Sequence, residues 1–408
     1  MISRRAFLKT GGLSVVAFGV GGVPTFVNRA AAQTLRAGGG RRKVLVALFQ
    51  RGAMDGLAAV QPLADADLAR LRPGLVLPPT DLIDLGQGYG LHPAFEPLAD
   101  LYRDGRLAVV HGVGSPNATR SHFDAQDFME TGTPGRRDTP TGWLARAVGQ
   151  LGHEATPFQS VALATALPRS LAGSRALAIA DLDAFAVGDA RAASASGSLE
   201  ALYEQATGAD DALVGAAGRE AYEAAAILDR VRRDVPRGRG YPQTPLGQSL
   251  EQIARLIRAD VGLDVAFAET SGWDTHVGQG SRTGSFARQA APLARAIRAF
   301  LDDLGPLSSD VVLLTMTEFG RTVAANGSGG TDHGRASALF VVGDDVHGGR
   351  VVGETGPLAP DALADGRDLP VTTDFRAVFA GVAGGHLGLR DPAALFPGWT
   401  GTPLALVR

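Results

Sequence analysis

Residues 318–343 read EFGRTVAANGSGGTDHGRASALFVVG, a stretch that sets Glu318, Arg321, Asp332 and His333 among glycines just before an apolar run. A polar turn needs no histidine, and the chain has only eight. Asp332-His333 therefore reads as carboxylate plus imidazole, a donor pair suited to zinc or manganese. Three further clusters share that character. Asp274 and His276 stand two apart in GWDTH and can chelate one ion from an extended or turned chain. Asp55 lies in RGAMDG, where flanking glycines let backbone approach a ligand. In NATRSHFD, Ser121 precedes Asp124 by three residues, the spacing of a helix N-cap, with Thr119 as a second hydroxyl. A hydroxyl at a helix start lies where backbone N–H groups and the helix dipole favour an anion, so Ser121 suits attack on phosphate or sulfate. Beside it, Arg120 and Arg321 offer bidentate binding of substrate oxygens, and His122 offers a general acid or base. Each residue also has a plain structural reading: a cap for Asp55 or Ser121, surface ion pairs for the arginines, a helix surface for His122.

What unites the clusters is position. Apolar runs recur at Val44 to Phe49, Leu107 to Val110, Ser160 to Ala164, Ala176 to Ala180, Leu263 to Ala268, Val311 to Thr315 and Ala338 to Val342, and these read as strands. Stretches with apolar residues three and four apart, Ala94 to Arg103, Gly142 to Leu151, Leu246 to Ala259, Phe286 to Leu304 and Phe375 to Leu387, read as helices. The alternation implies an α/β fold, a largely parallel sheet with helices on both faces. Ligands of such sheets bind beyond the carboxyl ends of the strands, where Asp55, Ser121, Asp274 and Glu318 all fall. Four clusters at four strand ends point to one shared site. Residues 191–248 carry no strand signal and one helical stretch, so a helical insertion or cap is expected there.

The N-terminus has a separate logic. Ser3-Arg4-Arg5-Ala6-Phe7-Leu8-Lys9, the apolar stretch Gly11 to Val27 and Ala30-Ala31-Ala32 compose a twin-arginine export signal over residues 1–32, leaving residues 33–408 as the working domain. The apolar stretch is short and broken by Pro24, so no stable membrane anchor is expected after cleavage. The twin-arginine translocase carries proteins already folded, which suits a cytoplasm-loaded cofactor and a periplasmic or otherwise exported destination. With no cysteine, disulfides and thiolate ligands are excluded, and any metal must sit on Asp, Glu, His or Ser. A net charge of −3 with 6% aromatic residues argues against nucleic acid as a partner. No G-x-S-x-G elbow or Walker A loop is present.

RGAMDGL, TRSHFDAQDFMETGTPG, GWDTH, TEFGRT, GGTDHG and DLPVTTDFRAV, together with the export signal, resemble the exported family called domain of unknown function 1501, over nearly the whole of the chain after residue 32. That family in turn is similar to a distant branch of the alkaline phosphatase and sulfatase superfamily. The resemblance implies an alkaline-phosphatase-like fold and a one- or two-metal site that hydrolyses a small anionic ester. Carried onto this chain, it implies Ser121 as nucleophile, Asp274, His276 and His333 around one ion, and Asp55 with Glu318 around a second. An alternative placement makes Asp332-His333 an adjacent metal-binding pair. Phe319 stands where the resemblance calls for a histidine beside Glu318, which leaves the second ion weak or lost. The sulfatase motif Cys-x-Pro-x-Arg is missing and the chain has no cysteine to become formylglycine, so phosphate esters are favoured over sulfate esters. A non-catalytic exported binding or assembly protein on the same fold is the alternative.

Overall fold

Seven consecutive buried residues, Val44–Gln50, form strand β1 at the middle of the sheet in the computed structural model, which describes residues 41–153, 155–183, 224 and 227–408. Such a run cannot have one wet face. Val44, Val46 and Leu48 enter one apolar core, while Leu45, Ala47 and Phe49 enter another on the opposite face. The remaining strands are β2 (Leu107–Gly114), β3 (Ser160–Ala162), β4 (Leu177–Ala178), β5 (Val265–Thr270), β6 (Val311–Met316), β7 (Ser337–Gly343), β8 (Arg350–Val352) and β9 (Thr373–Asp374). Their order is β8-β2-β7-β6-β1-β5-β3-β4, with β9 also paired to β2.

All seven expected strands form, and the sheet is largely parallel as expected. β1 pairs in parallel with both β5 and β6, from Leu45 opposite Val265 and from Val44 opposite Val311. The exception is β7, which runs antiparallel to both β6 and β2. This reversal positions the site. The carboxyl ends of β1, β2, β5 and β6 meet at one edge, and β7 brings its amino end to that same edge. Residues just before β7 therefore face residues just after the other four strands.

Helices cover both faces. Helix α1 spans His122–Thr131, α2 Trp143–Gly149, α3 Pro245–Arg258, α4 Ser285–Leu304 and α5 Phe375–Leu387. α3 and α4 bury Ile253, Ile257, Leu293 and Ile297 in the core on one face, and α2 and α5 pack Trp143 against Phe379 at 4.8 Å on the other. Burying side chains of this size contributes about 1.5–3 kcal/mol each. The expected helix over Ala94 to Arg103 starts as a 3-10 segment, Pro93–Leu98, because Pro97 lacks an amide hydrogen, and becomes α-helical at Ala99–Arg103. A small antiparallel sheet of Val60–Pro62, Tyr89–Leu91 and Ile83–Asp84 was not anticipated, as its strands have two or three residues each.

The export signal at 1–32 lies outside the described residues, as does 191–223 of the expected insertion. Of its remainder, residues 227–234 are helical, and Ile227, Leu228 and Val231 are buried in the core shared with α3 and α4. No helix among the described residues is long and apolar enough to cross a membrane.

Candidate metal centre

Beyond β5 the chain turns through Trp273, which is buried, and presents Asp274 and His276. Gly52, following β1, makes this turn possible. Its φ is +115°, and a Cβ there would lie 2.6 Å from the Asp274 amide nitrogen. Across the gap, Arg321 and His333 form an antiparallel bridge, so the segments leaving β6 and entering β7 run side by side. Gly320 permits the approach, since a Cβ on it would sit 1.7 Å from the Ala336 carbonyl oxygen. Helix α1 starts at His122 over the same edge, its N-cap Ser121 accepting from the Asp124 amide at 3.5 Å.

Three imidazoles meet here. His333 Nε2 lies 3.1 Å from His122 Nε2, 2.9 Å from His276 Nε2 and 3.2 Å from Asp274 Oδ1. Asp274 is also 3.1 Å from His276 Nε2 and 3.4 Å from His122 Nε2. His122, Asp274 and His333 each offer a donor atom within 4.8 Å of the others, the reach of a single metal ion. The second ring nitrogens are all engaged by acceptors. His122 Nδ1 donates to Glu318 at 2.8 Å, His333 Nδ1 to the Arg120 carbonyl at 2.9 Å, and His276 Nδ1 to Asp332 at 3.1 Å. A neutral imidazole has one N–H, so these bonds assign the proton to Nδ1 and leave a lone pair on every Nε2. Lone pairs of His122 and His333 and the Asp274 carboxylate then lie within reach of one ion, with His276 Nε2 beside His333 and Asp274.

The geometry fits one. Ligands about 2.0–2.2 Å from a tetrahedral zinc stand about 3.3–3.5 Å from each other, close to the 3.1–3.4 Å seen among His122, Asp274 and His333. A metal-binding histidine whose other nitrogen donates to a carboxylate or carbonyl is the usual way such a ring is oriented.

Glu318 is fully buried and accepts from His122 Nδ1, Gln126 Nε2 and the Gly52 amide, each at 2.8 Å. Burial alone would raise its pKa, but the His122 and Gln126 hydrogen bonds outweigh it and hold Glu318 ionised below the usual range. The same bond to Glu318 raises the pKa of His122, whereas burial lowers that of His333. Burial pushes Asp274 up, yet Arg321, donating at 2.6 Å, brings it below the ordinary value. Asp332 is lowered by Asn326, which donates at 3.0 Å. Phe319 lies beneath the cluster, its ring 4.9 Å from that of His122 and 5.1 Å from that of His333.

The structure thus gathers His122, Asp274, His276 and His333, with Glu318 and Asp332 behind two of the rings. It does not bring Asp55 to that point. Asp55 is buried, caps the Gly56–Ala59 turn through the Leu57 and Ala58 amides, and accepts from Arg72 at 2.7 Å and Gln279 at 2.6 Å. Glu318 contacts a histidine ring rather than pairing with Asp55. Arg120 is paired with Asp365 and Asp368 while its side chain stays 32% exposed, and Arg321, fully buried, is paired with Asp274 and Thr331. Thr119 accepts from the Ser121 amide at 3.2 Å.

Sequence reasoning placed His122 as an acid, base or helix-surface residue, and left Gln126 unnoticed. The signal was the i, i+4 spacing of His122 and Gln126, which puts both on one helix face. Both reach the same Glu318 oxygen. His111 and His386 do not belong to the site. They are buried neutral rings bonded to the Val60 and Val44 carbonyls, each with its pKa lowered by burial to about 4.

The family model described as "Protein of unknown function (DUF1501)" matches residues 104–396. No curated protein matches the chain. Among solved structures, the C-terminal periplasmic domain of EcEptC from Escherichia coli, in complex with Zn, is 10% identical, with 75% of this chain and 74% of that chain covered and a TM-score of 0.38. A protein in the alkaline phosphatase superfamily from Vibrio parahaemolyticus is 12% identical, with 81% and 74% covered and a TM-score of 0.36. PsFucS1 sulfatase from Pseudoalteromonas sp. is 12% identical, with 80% and 68% covered and a TM-score of 0.35.

Proposed function

The chain belongs to the DUF1501 family, proteins of unknown function, and we propose that it is an exported hydrolase of phosphate esters dependent on one divalent metal. The observation that carries the reading is the convergence of three imidazole Nε2 atoms and Asp274, with every Nδ1 bonded to an acceptor. His122, His276, His333 and Asp274 would hold the ion, zinc or manganese by their chemistry. When bound, the ion supplies Lewis acidity to an ester oxygen and lowers the pKa of a nearby hydroxyl.

The chain's own residues do the rest. Glu318 and Asp332 fix the tautomers of His122 and His276, and Arg321 holds Asp274 in place. Ser121, adjacent in sequence to His122 and to the Arg120 carbonyl that orients His333, is the candidate nucleophile. The second acid pair implied by the resemblance is committed to the chain's own donors, which favours one ion over two. The same fact supports the second reading, a metal-holding binding or assembly protein without catalysis.

A phosphate-ester screen with the metal-loaded protein separates the two readings. Activity on aryl phosphates exceeding that on the matching aryl sulfates is expected, with Ser121→Ala lowering kcat by about 10³-fold or more, the scale seen when a nucleophile is removed. Loss of the cap alone would appear as about 1 kcal/mol of lost stability with kcat intact. A Ser121→Ala rate equal to that of the parent would exclude the serine mechanism. A protein that binds metal yet turns over no ester would favour the binding reading.

A further inference from the structure

Each ring of the cluster has an acceptor behind it, but the acceptors differ. Behind His122 and His276 stand carboxylates, Glu318 and Asp332, whereas His333 Nδ1 donates to a neutral backbone carbonyl, that of Arg120, at 2.9 Å. Arg120 lies in the loop between β2 and α1, and a loop carbonyl orients a ring only as firmly as the loop is held. Asp368 supplies the hold. Its side chain is fully buried, and it opens DLPVTTDFRAV, a stretch to which residue types alone assign no role. Backbone pairing brings it to the site: Thr322 bridges Asp368, and the preceding residue, Arg321, bridges His333. A buried carboxylate requires compensating donors, and two arginines provide them. Arg120 Nε donates to Asp368 Oδ2 and Arg367 Nε to Oδ1, each at 3.1 Å. Both arginines also reach His333. Arg120 does so through the carbonyl that accepts from Nδ1, and Arg367 by donating from its guanidinium to the His333 carbonyl at 3.0 Å. One carboxylate thus ties down the ring and the backbone of the same histidine.

Resting on the metal-centre reading above, we propose that Asp368 is a positioning residue for metal binding, setting His333 through Arg120 and Arg367. Arg120 then serves the site with its carbonyl, its guanidinium being the anchor. Without the Asp368 charge, two guanidinium groups lose their shared partner, and the carbonyl and backbone that aim the His333 ring are released together. The ring at stake is the one on which His122, His276 and Asp274 all close.

The test reads metal binding and requires no turnover. The full chain is titrated with zinc in competition with a chromophoric chelator, and with cobalt(II), whose visible absorption reports the geometry of its ligands. Asp368→Asn keeps the shape and removes the charge. It should weaken zinc binding by about 10–100-fold, the range for residues that hold metal ligands in place, and alter the cobalt(II) bands. Asp264→Asn is the control, since Asp264 is a buried carboxylate paired with Arg42 just before β5, at the opposite end of that strand from the site. It should lower stability and leave zinc affinity and the cobalt(II) bands unchanged. Arg367→Gln removes the bond to the His333 carbonyl from a side chain that is 44% exposed, so the core stays closed, and it should move both readouts in the same direction as Asp368→Asn. Parent-like affinity and bands in Asp368→Asn, or in Arg367→Gln should the former not fold, overturn the proposal while leaving the metal centre intact. An equal loss in Asp264→Asn overturns it too, since any buried carboxylate would then do the same. A parent that binds neither zinc nor cobalt(II) instead overturns the metal-centre reading, and this proposal with it.

Discussion

His333→Ala is expected to lose its metal. Nε2 of His333 is the atom on which His122, His276 and Asp274 all close, at 3.1, 2.9 and 3.2 Å. Changing a residue that merely orients a ligand typically costs 10–100-fold in metal affinity, so removing this central ligand should cost more than about 100-fold. Glu318→Gln, which keeps the shape and removes the charge behind His122, should fall within that 10–100-fold range. Competition against a chromophoric chelator reads both. The ranking is the informative part. If His333→Ala binds as tightly as the parent, or Glu318→Gln weakens binding more than His333→Ala does, the assignment of ligand and supporting residue is wrong.

Gly52→Ala is expected to damage both stability and the site. A non-glycine residue at a φ of +115° carries a backbone cost of about 1–3 kcal/mol, and the new Cβ would meet the Asp274 amide nitrogen at 2.6 Å. The loop bearing Asp274 and His276 must then move, together with the Gly52 amide that donates to Glu318 at 2.8 Å. A total loss of about 2–4 kcal/mol is expected, seen as a lower urea midpoint with an unchanged slope, along with weaker metal binding. An unchanged midpoint would show that Gly52 does not brace the metal loop as the contact implies.

Much of this architecture was legible because the apolar runs are short, continuous and punctuated. β1 could be read from Val44 to Phe49 since both its faces are buried, and the same holds for β6. Strand direction was not legible. Nothing in the Ala338 to Val342 run announces that β7 is antiparallel, yet that reversal is what delivers His333 to the edge formed by the other strand ends. The grouping of Asp274, His276 and His333 followed from their residue types and the family resemblance. Asp55 shows the limit. A carboxylate after a strand and among glycines looks like a ligand, and only the fold reveals Arg72 and Gln279 bonded to it. His122 shows the converse, since its spacing to Gln126 marks a shared helix face but does not name Glu318 as the partner that turns the ring toward His333.

The most direct measurement is the metal content per chain of protein produced in its native host, determined by elemental mass spectrometry with Asp274→Ala beside it. Close to one equivalent of a divalent transition metal, zinc or manganese, is expected in the parent, with a clear loss in Asp274→Ala. Protein that carries no metal, or the same content in both, would contradict the claim that the three histidines and Asp274 converge in order to hold an ion.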